Sequence, residues 1–127
     1  MYKELVICII VISLIIVLNV ITETYTEKSI NSMNENLENL KVTMLADEKE
    51  ETSKKIEEIL SNWNDKYQKL AYYIEHDELE KVKTELISLR SNIEVDEYNQ
   101  GIPSLDKCVF ILEHIKEKSA LQIKNIF

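Results

Sequence analysis

The chain has 127 residues, with 15 Lys and Arg against 23 Asp and Glu, which gives a net charge of −8. Such acidity disfavours binding to nucleic acid, phosphate polymers or anionic lipid head groups. The single Gly excludes a P-loop, a GxGxxG dinucleotide-binding turn and a GxSxG nucleophile elbow, because each needs at least two glycines.

An uncharged apolar run opens the chain, from Leu5 to Ile21, and 14 of its 17 residues are Leu, Ile or Val. As a helix it spans roughly 25 Å, and flanking side chains such as Tyr2 and Tyr25 can complete a ~30 Å span. Its summed insertion free energy is about −6 kcal/mol. We therefore predict that residues 1–22 form a short cytoplasmic tail and a transmembrane anchor, which binds the lipid bilayer through Leu5–Ile21.

A cleaved signal peptide is the alternative interpretation of this run. Cleavage needs small residues before the cut, and the first Ala of the chain is Ala46. Thr22 and Thr24 are poor substitutes, so an uncleaved anchor is favoured. Lys3 and the short tail favour a single-pass topology in the cell membrane, with a cytoplasmic N-terminus and an extracytoplasmic C-terminal domain.

The remaining part, residues 23–127, is predicted to be an acidic all-α domain, an antiparallel three- to four-helix bundle. We expect helices at about 23–46, 48–76, 78–95 and 105–117, with a short C-terminal turn or helix at 119–127. Apolar residues recur every three or four positions, which is typical of a helix face packed on other helices. The predicted inner faces comprise Ile30, Met33, Leu37, Leu40 and Met44; Ile56, Ile59, Leu60, Trp63, Tyr67, Leu70 and Ile74; Leu79, Val82, Leu86, Leu89 and Ile93; and Leu105, Cys108, Val109, Leu112 and Ile115.

Turn signals set the predicted helix boundaries. No Gly or Pro separates the anchor from the first helix, so the two can form one continuous helix. Asp47 is a candidate N-cap, and Asp77 with Glu80 fits a capping box. The stretch from Asp96 to Ser104 holds the only Gly and the only Pro and is predicted to be a loop, with Ser104 capping the next helix.

Few residues are candidates for chemistry. Cys8 lies in the apolar run, and Cys108 is expected to be a buried thiol, with an intermolecular disulfide as the alternative. His76, His114 and Asp77 are weak candidates for a metal or pH-sensitive site, provided that helix ends bring the two His together. A solvated His at a helix end is the simpler interpretation. We expect no catalytic residue and no cofactor, and therefore no enzyme.

Five residues are candidates for a partner interface. Leu37 and Leu40 belong to a coiled-coil-like stripe beside the anchor, which can close within one chain or between two. Tyr72 and Tyr73 flank the inner face of their helix, so one of them is expected to point outward. Phe127 is the apolar C-terminal residue, either packed or a docking tip.

The order of motifs resembles a known pattern. A single N-terminal span precedes a helix with Trp63, followed by the segments 74–79, 111–115 and 121–127, which read IEHDEL, ILEHI and LQIKNIF. The chain is similar to an uncharacterised clostridial family of short single-pass membrane-anchored helical proteins, a domain of unknown function. The resemblance implies a location at the membrane and an accessory role beside multi-pass membrane proteins. It implies no mechanism.

Two functions are compatible with these patterns. The first is a membrane-anchored helical interaction or accessory protein that binds a multi-pass membrane protein or forms a homo-oligomer, without nucleic acid. The second is an extracytoplasmic domain that senses a small ligand, a metal or pH through His76 and His114.

Overall fold

The computed structural model describes the backbone of residues 1–126 and the side chains of residues 1–122. The described residues form four α-helices and contain no strand, which confirms the predicted all-α class. The helices are α1 (Tyr2–Leu45), α2 (Lys49–Leu70), α3 (His76–Glu94) and α4 (Tyr98–Ile126).

Each helix packs against two neighbours in a closed ring, in which α1 contacts α2 and α4, and α3 contacts the same two helices. Short turns join consecutive helices, so neighbours run antiparallel around one central core. The apolar stripes meet inside this ring. The buried apolar side chains are Ile30, Met33, Leu37, Leu40, Met44, Ile56, Ile59, Trp63, Leu70, Leu79, Val82, Leu86, Leu89, Ile93, Leu105, Cys108, Leu112 and Ile115.

Helix α1 is continuous for 44 residues, or about 66 Å, from Tyr2 to Leu45. Only its second part belongs to the bundle. Residues 2–18 are exposed along their whole length, whereas the stripe from Ile30 to Met44 is buried. The expected continuity between the apolar run and the first bundle helix is therefore confirmed. We call residues 5–21 the apolar segment.

The two turns far from the apolar segment are built alike. Asp47 and Asp96 have positive φ angles of 56° and 59°. The residue after each Asp donates its amide hydrogen five residues back, from Glu48 to Thr43 and from Glu97 to Asn92. This is a Schellman motif with Asp in the left-handed position that Gly usually takes. The predicted N-cap role of Asp47 is therefore wrong, because the residue ends α1 instead.

The predicted loop from Asp96 to Ser104 is too long, because only Asp96 and Glu97 of this stretch lie in the turn and α4 already begins at Tyr98. Pro103 is exposed within the early part of α4, where water can satisfy the carbonyl that loses its amide partner. Gly101 is buried, and a Cβ there would lie 3.1 Å from Met44 Cε. The only glycine thus permits close helix packing and does not form a turn.

Three further boundaries differ from the prediction. α2 ends at Leu70 and not near residue 76, and α3 begins at His76, so Asp77 lies in the first turn and does not cap it. Ser104 lies inside α4, where its Oγ is 3.2 Å from Ser88 Oγ. The helix predicted at 105–117 and the separate element at 119–127 belong to one helix up to Ile126, because no residue between them interrupts its hydrogen bonding.

Candidate interaction surface at the base of the bundle

The end of the bundle from which the apolar segment emerges carries the most informative cluster of side chains. It consists of the turn between α2 and α3, residues 71–75, and the C-terminal part of α4. We call these two elements together the base.

The register between α1 and α4 fixes the height of the base. Asn34 donates to Glu113 at 2.8 Å, Lys41 to Asp106 at 3.0 Å, and Lys116 to Asn31 at 3.0 Å. In these antiparallel pairs, α4 descends one residue for every residue that α1 ascends. The same register places the end of α4 beside the last residues of the apolar segment.

Tyr73 ties the turn between α2 and α3 to α1. Its Oη lies 2.7 Å from Thr26 Oγ1 and donates to the Thr22 carbonyl oxygen at 3.2 Å. Thr26 Oγ1 itself donates to the same carbonyl oxygen at 2.7 Å. Burial raises the pKa of the Tyr73 hydroxyl, so that it remains a neutral donor. The contact sets the turn at the height of Thr22, one residue after the apolar segment.

The neighbouring Tyr72 has the opposite environment, with 90% of its surface exposed. The expectation that one of the two tyrosines points outward is met by this residue. Tyr73 is 38% exposed and uses its hydroxyl within the chain. Among the described residues of the base, Tyr72 therefore presents its aromatic ring to the outside.

Ion pairs brace the base on its α4 side. Lys118 Nζ lies 3.1 Å from Glu78 and 3.7 Å from Glu75. The hydrogen bond to Glu78 and the negative charge of that carboxylate raise the pKa of Lys118. On the α2 side, Lys69 Nζ lies 5.7 Å above the centre of the Tyr25 ring, a cation–π geometry.

His76 belongs to a small polar cluster at the start of α3. Its Nδ1 is 2.6 Å from Tyr67 Oη, and the same hydroxyl donates to Glu80 at 3.1 Å. Burial, followed by the hydrogen bond to Glu80, raises the pKa of Tyr67. The cluster connects the end of α2 to the first turn of α3.

The structure does not assemble the metal site suggested for His76, His114 and Asp77. Among the described residues, no three His, Cys, Asp or Glu side chains come together to hold a metal ion. His114 lies exposed within α4, not at a helix end, because α4 is longer than predicted. The condition for that site, two helix ends that bring both His together, is thus not met.

The proposed interface residues separate into three groups. Leu37 and Leu40 are 0% exposed, because the stripe closes inside this chain, and their assignment to a partner surface was wrong. Tyr72 and Tyr73 both lie in the base. Phe127 is outside the described residues.

The polar contacts of Thr22 and Thr26 were missed by sequence reasoning. They join residues 51 and 47 positions apart in the chain, and a lone Thr on a helix carries no signal of such a contact. Only the three-dimensional register between α1 and the turn reveals it.

A family model described as a domain of unknown function (DUF4363) matches residues 20–126. The chain belongs to the DUF4363 family. The resemblance to a domain of unknown function is thereby confirmed. The DUF4363 match covers the whole bundle and begins at the end of the apolar segment. Comparison with curated proteins and with solved structures gives no match.

Proposed function

We propose that this chain is a single-pass membrane protein that uses its helical bundle as a non-enzymatic interaction or accessory module. The observation that carries the proposal is the continuity of α1. One unbroken helix passes from an apolar segment, exposed up to Leu18, into the core of the bundle. This helix is the one in the described residues that is long and apolar enough to cross a membrane.

Exposure of the apolar segment supports an anchor. The chain itself covers none of residues 2–18, and a run of Leu, Ile and Val in water is strongly unfavourable. A lipid bilayer removes that cost, and Leu5–Ile21 has close to the length that its hydrocarbon core needs. The acidic charge of −8 lies beyond this segment and keeps the bundle soluble at the membrane surface.

Contacts beside the segment favour an uncleaved anchor over a signal sequence. The best available cleavage positions lie at Thr22 and Thr24. Thr22 provides the carbonyl that accepts from both Tyr73 and Thr26. Cleavage there would remove the carbonyl group of α1 to which the turn of the base is hydrogen-bonded. The single Lys3 ahead of the segment favours a cytoplasmic N-terminus and an extracytoplasmic bundle.

The closed core restricts how a partner can bind. Because Leu37 and Leu40 are fully buried within the chain, a partner contacts the membrane helix or the outer surfaces of the bundle. A multi-pass membrane protein or a second copy of this chain suits such a surface. The apolar faces of the helices are already buried in the core of this chain.

The anchor is tested by placing two charges at its centre. Replacing Ile12 and Ile16 by Arg adds about 6–8 kcal/mol to the insertion free energy, which offsets the roughly −6 kcal/mol of the native segment. We expect the native chain and an Ile12→Leu, Ile16→Leu control to stay in the membrane pellet after alkaline carbonate extraction, and the Arg variant to be extracted. Extraction of the native chain, or a native mass reduced by loss of the segment, would contradict the anchor.

The accessory role is tested by purifying the native chain from its membranes in mild detergent and measuring the mass of the particle by light scattering. We expect a stoichiometric membrane partner or a multiple of the 14.9 kDa chain mass. A particle that holds a single copy and no other protein would contradict this role.

A further inference from the structure

The base lies at the height along α1 where the apolar segment ends. If Leu5–Ile21 fills the hydrocarbon core, Thr22 lies at the boundary between lipid tails and head groups. The hydrogen bond from Tyr73 to the Thr22 carbonyl fixes the turn between α2 and α3 at that same height. The turn is therefore held against the membrane surface by the fold.

The side chain that the turn presents suits this location. Tyr72 is 90% exposed, and nothing in the described chain covers its ring. Tyrosine is enriched at membrane interfaces, where its ring contacts lipid and its hydroxyl reaches water and head groups. The opposite end of the bundle differs, because its two turns contain Asp47 and Asp96.

A second element reaches the same level. Leu121 in α4 is 58% exposed, and the α1–α4 register places it about level with Thr26. The rest of α4 continues from there toward the apolar segment. The turn and the end of α4 thus approach the bilayer beside the span.

The charge of the base indicates which lipids it accepts. Lys118 pairs with Glu75 and Glu78, so this cation is not free to bind a phosphate. The chain as a whole carries −8, which opposes an anionic surface. The exposed side chains offered to lipid, Tyr72 and Leu121, are uncharged, so a zwitterionic bilayer is the matching partner.

We propose that the base is a lipid-contacting surface, which places the bundle against the head-group layer of a zwitterionic bilayer through Tyr72 and Leu121. This inference rests on the proposed anchor. The turns with Asp47 and Asp96 then lie at the end of the bundle away from the membrane. The orientation of the bundle relative to the membrane is thereby fixed.

The test places an environment-sensitive fluorophore, nitrobenzoxadiazole, at Tyr72→Cys in a full-length Cys8→Ala chain. Cys108 is buried, and burial raises the pKa of its thiol to about 12, so it does not compete for the label. The control carries the same label at Val95→Cys, an exposed position (63%) at the other end of α3. Both chains are reconstituted in phosphatidylcholine vesicles, and matching thermal melts establish that both are folded.

We expect lipid with a nitroxide near the head group to quench the label at position 72 several-fold more than the label at position 95, with a blue-shifted emission. Equal quenching and water-like emission at both positions would overturn the inference. Vesicle flotation separates the two proposals. A chain that floats without quenching at position 72 refutes the lipid-contacting base and leaves the anchor, whereas a chain that does not float refutes both.

Discussion

The two parts of α1 differ in a way that hydrophobicity alone does not explain. Residues 5–21 carry no charge and are almost entirely apolar, and the rest of the chain leaves residues 2–18 exposed. The part that follows is richer in Glu and Asn, yet it supplies Met33, Leu37 and Leu40, each 0% exposed, to the core. The less apolar part of the same helix is thus the better buried one.

Pattern, and not apolar content, decides which part enters the core. A stripe with period 3–4 and polar flanks lets a helix bury one side in the core, against its two neighbouring helices, and keep its other sides in water. A helix that is apolar all round has no side to give to water, so it needs an apolar solvent on every side. The backbone conformation is the same in both parts, and the surroundings that their side chains favour differ.

The prediction with the largest expected effect compares a Leu→Ala substitution in the buried part of α1 with the same substitution in the exposed part. Leu37→Ala empties a fully buried core position and should lower the free energy of unfolding by about 2–5 kcal/mol. Leu14→Ala removes the same atoms from the exposed segment and should leave bundle stability unchanged. Urea unfolding in detergent, followed by circular dichroism, measures both.

Equal losses in the two variants would show that the apolar segment packs on the bundle in solution. A loss below 1 kcal/mol at Leu37 would contradict the closed core.

Sequence periodicity predicted the core well, because the stripe and the burial have the same physical cause. Every residue of the predicted faces at Ile30–Met44 and Leu79–Ile93 is buried. In α2, Leu60 and Tyr67 lie at the edge of the stripe and are only partly buried. The fold class and the inner faces thus follow from local pattern.

Turns and the base could not be predicted with the same success. Gly and Pro are usually turn signals, but here Gly101 serves helix packing and Asp96 makes the turn. The base depends on the register between α1 and a turn about 50 residues away, joined by Tyr73 and Thr22. No local pattern encodes that pairing.

The two cysteines sharpen the comparison, since Cys8 lies in the apolar segment and Cys108 in the core. Burial raises the pKa of Cys108 from 9.0 to about 12, so folding favours the protonated thiol. The stabilisation that the buried, protonated thiol contributes is fully present below pH 9 and declines as the pH rises toward 12. Between pH 9 and 11 the decline is about 2 kcal/mol.

Urea unfolding of the native chain and of Cys108→Ala over this pH range isolates the effect of the thiol from other alkaline titrations. The native chain should lose about 2 kcal/mol more than the variant. Cys8→Ala is the matched control and should follow the native chain. Parallel curves for all three proteins would mean that Cys108 is open to solvent.

The smallest predicted effect lies at the junction of the two parts of α1. Tyr73→Phe removes the hydroxyl that contacts Thr26 and donates to the Thr22 carbonyl, and should cost about 0.5–1.5 kcal/mol of unfolding free energy. Tyr72→Phe removes a hydroxyl from a side chain that is 90% exposed and should cost nothing measurable. Amide hydrogen exchange should then quicken in residues 71–75 for Tyr73→Phe alone, because this contact holds the turn on α1. Equal exchange in both variants would mean that helix packing, and not this contact, sets the height of the base.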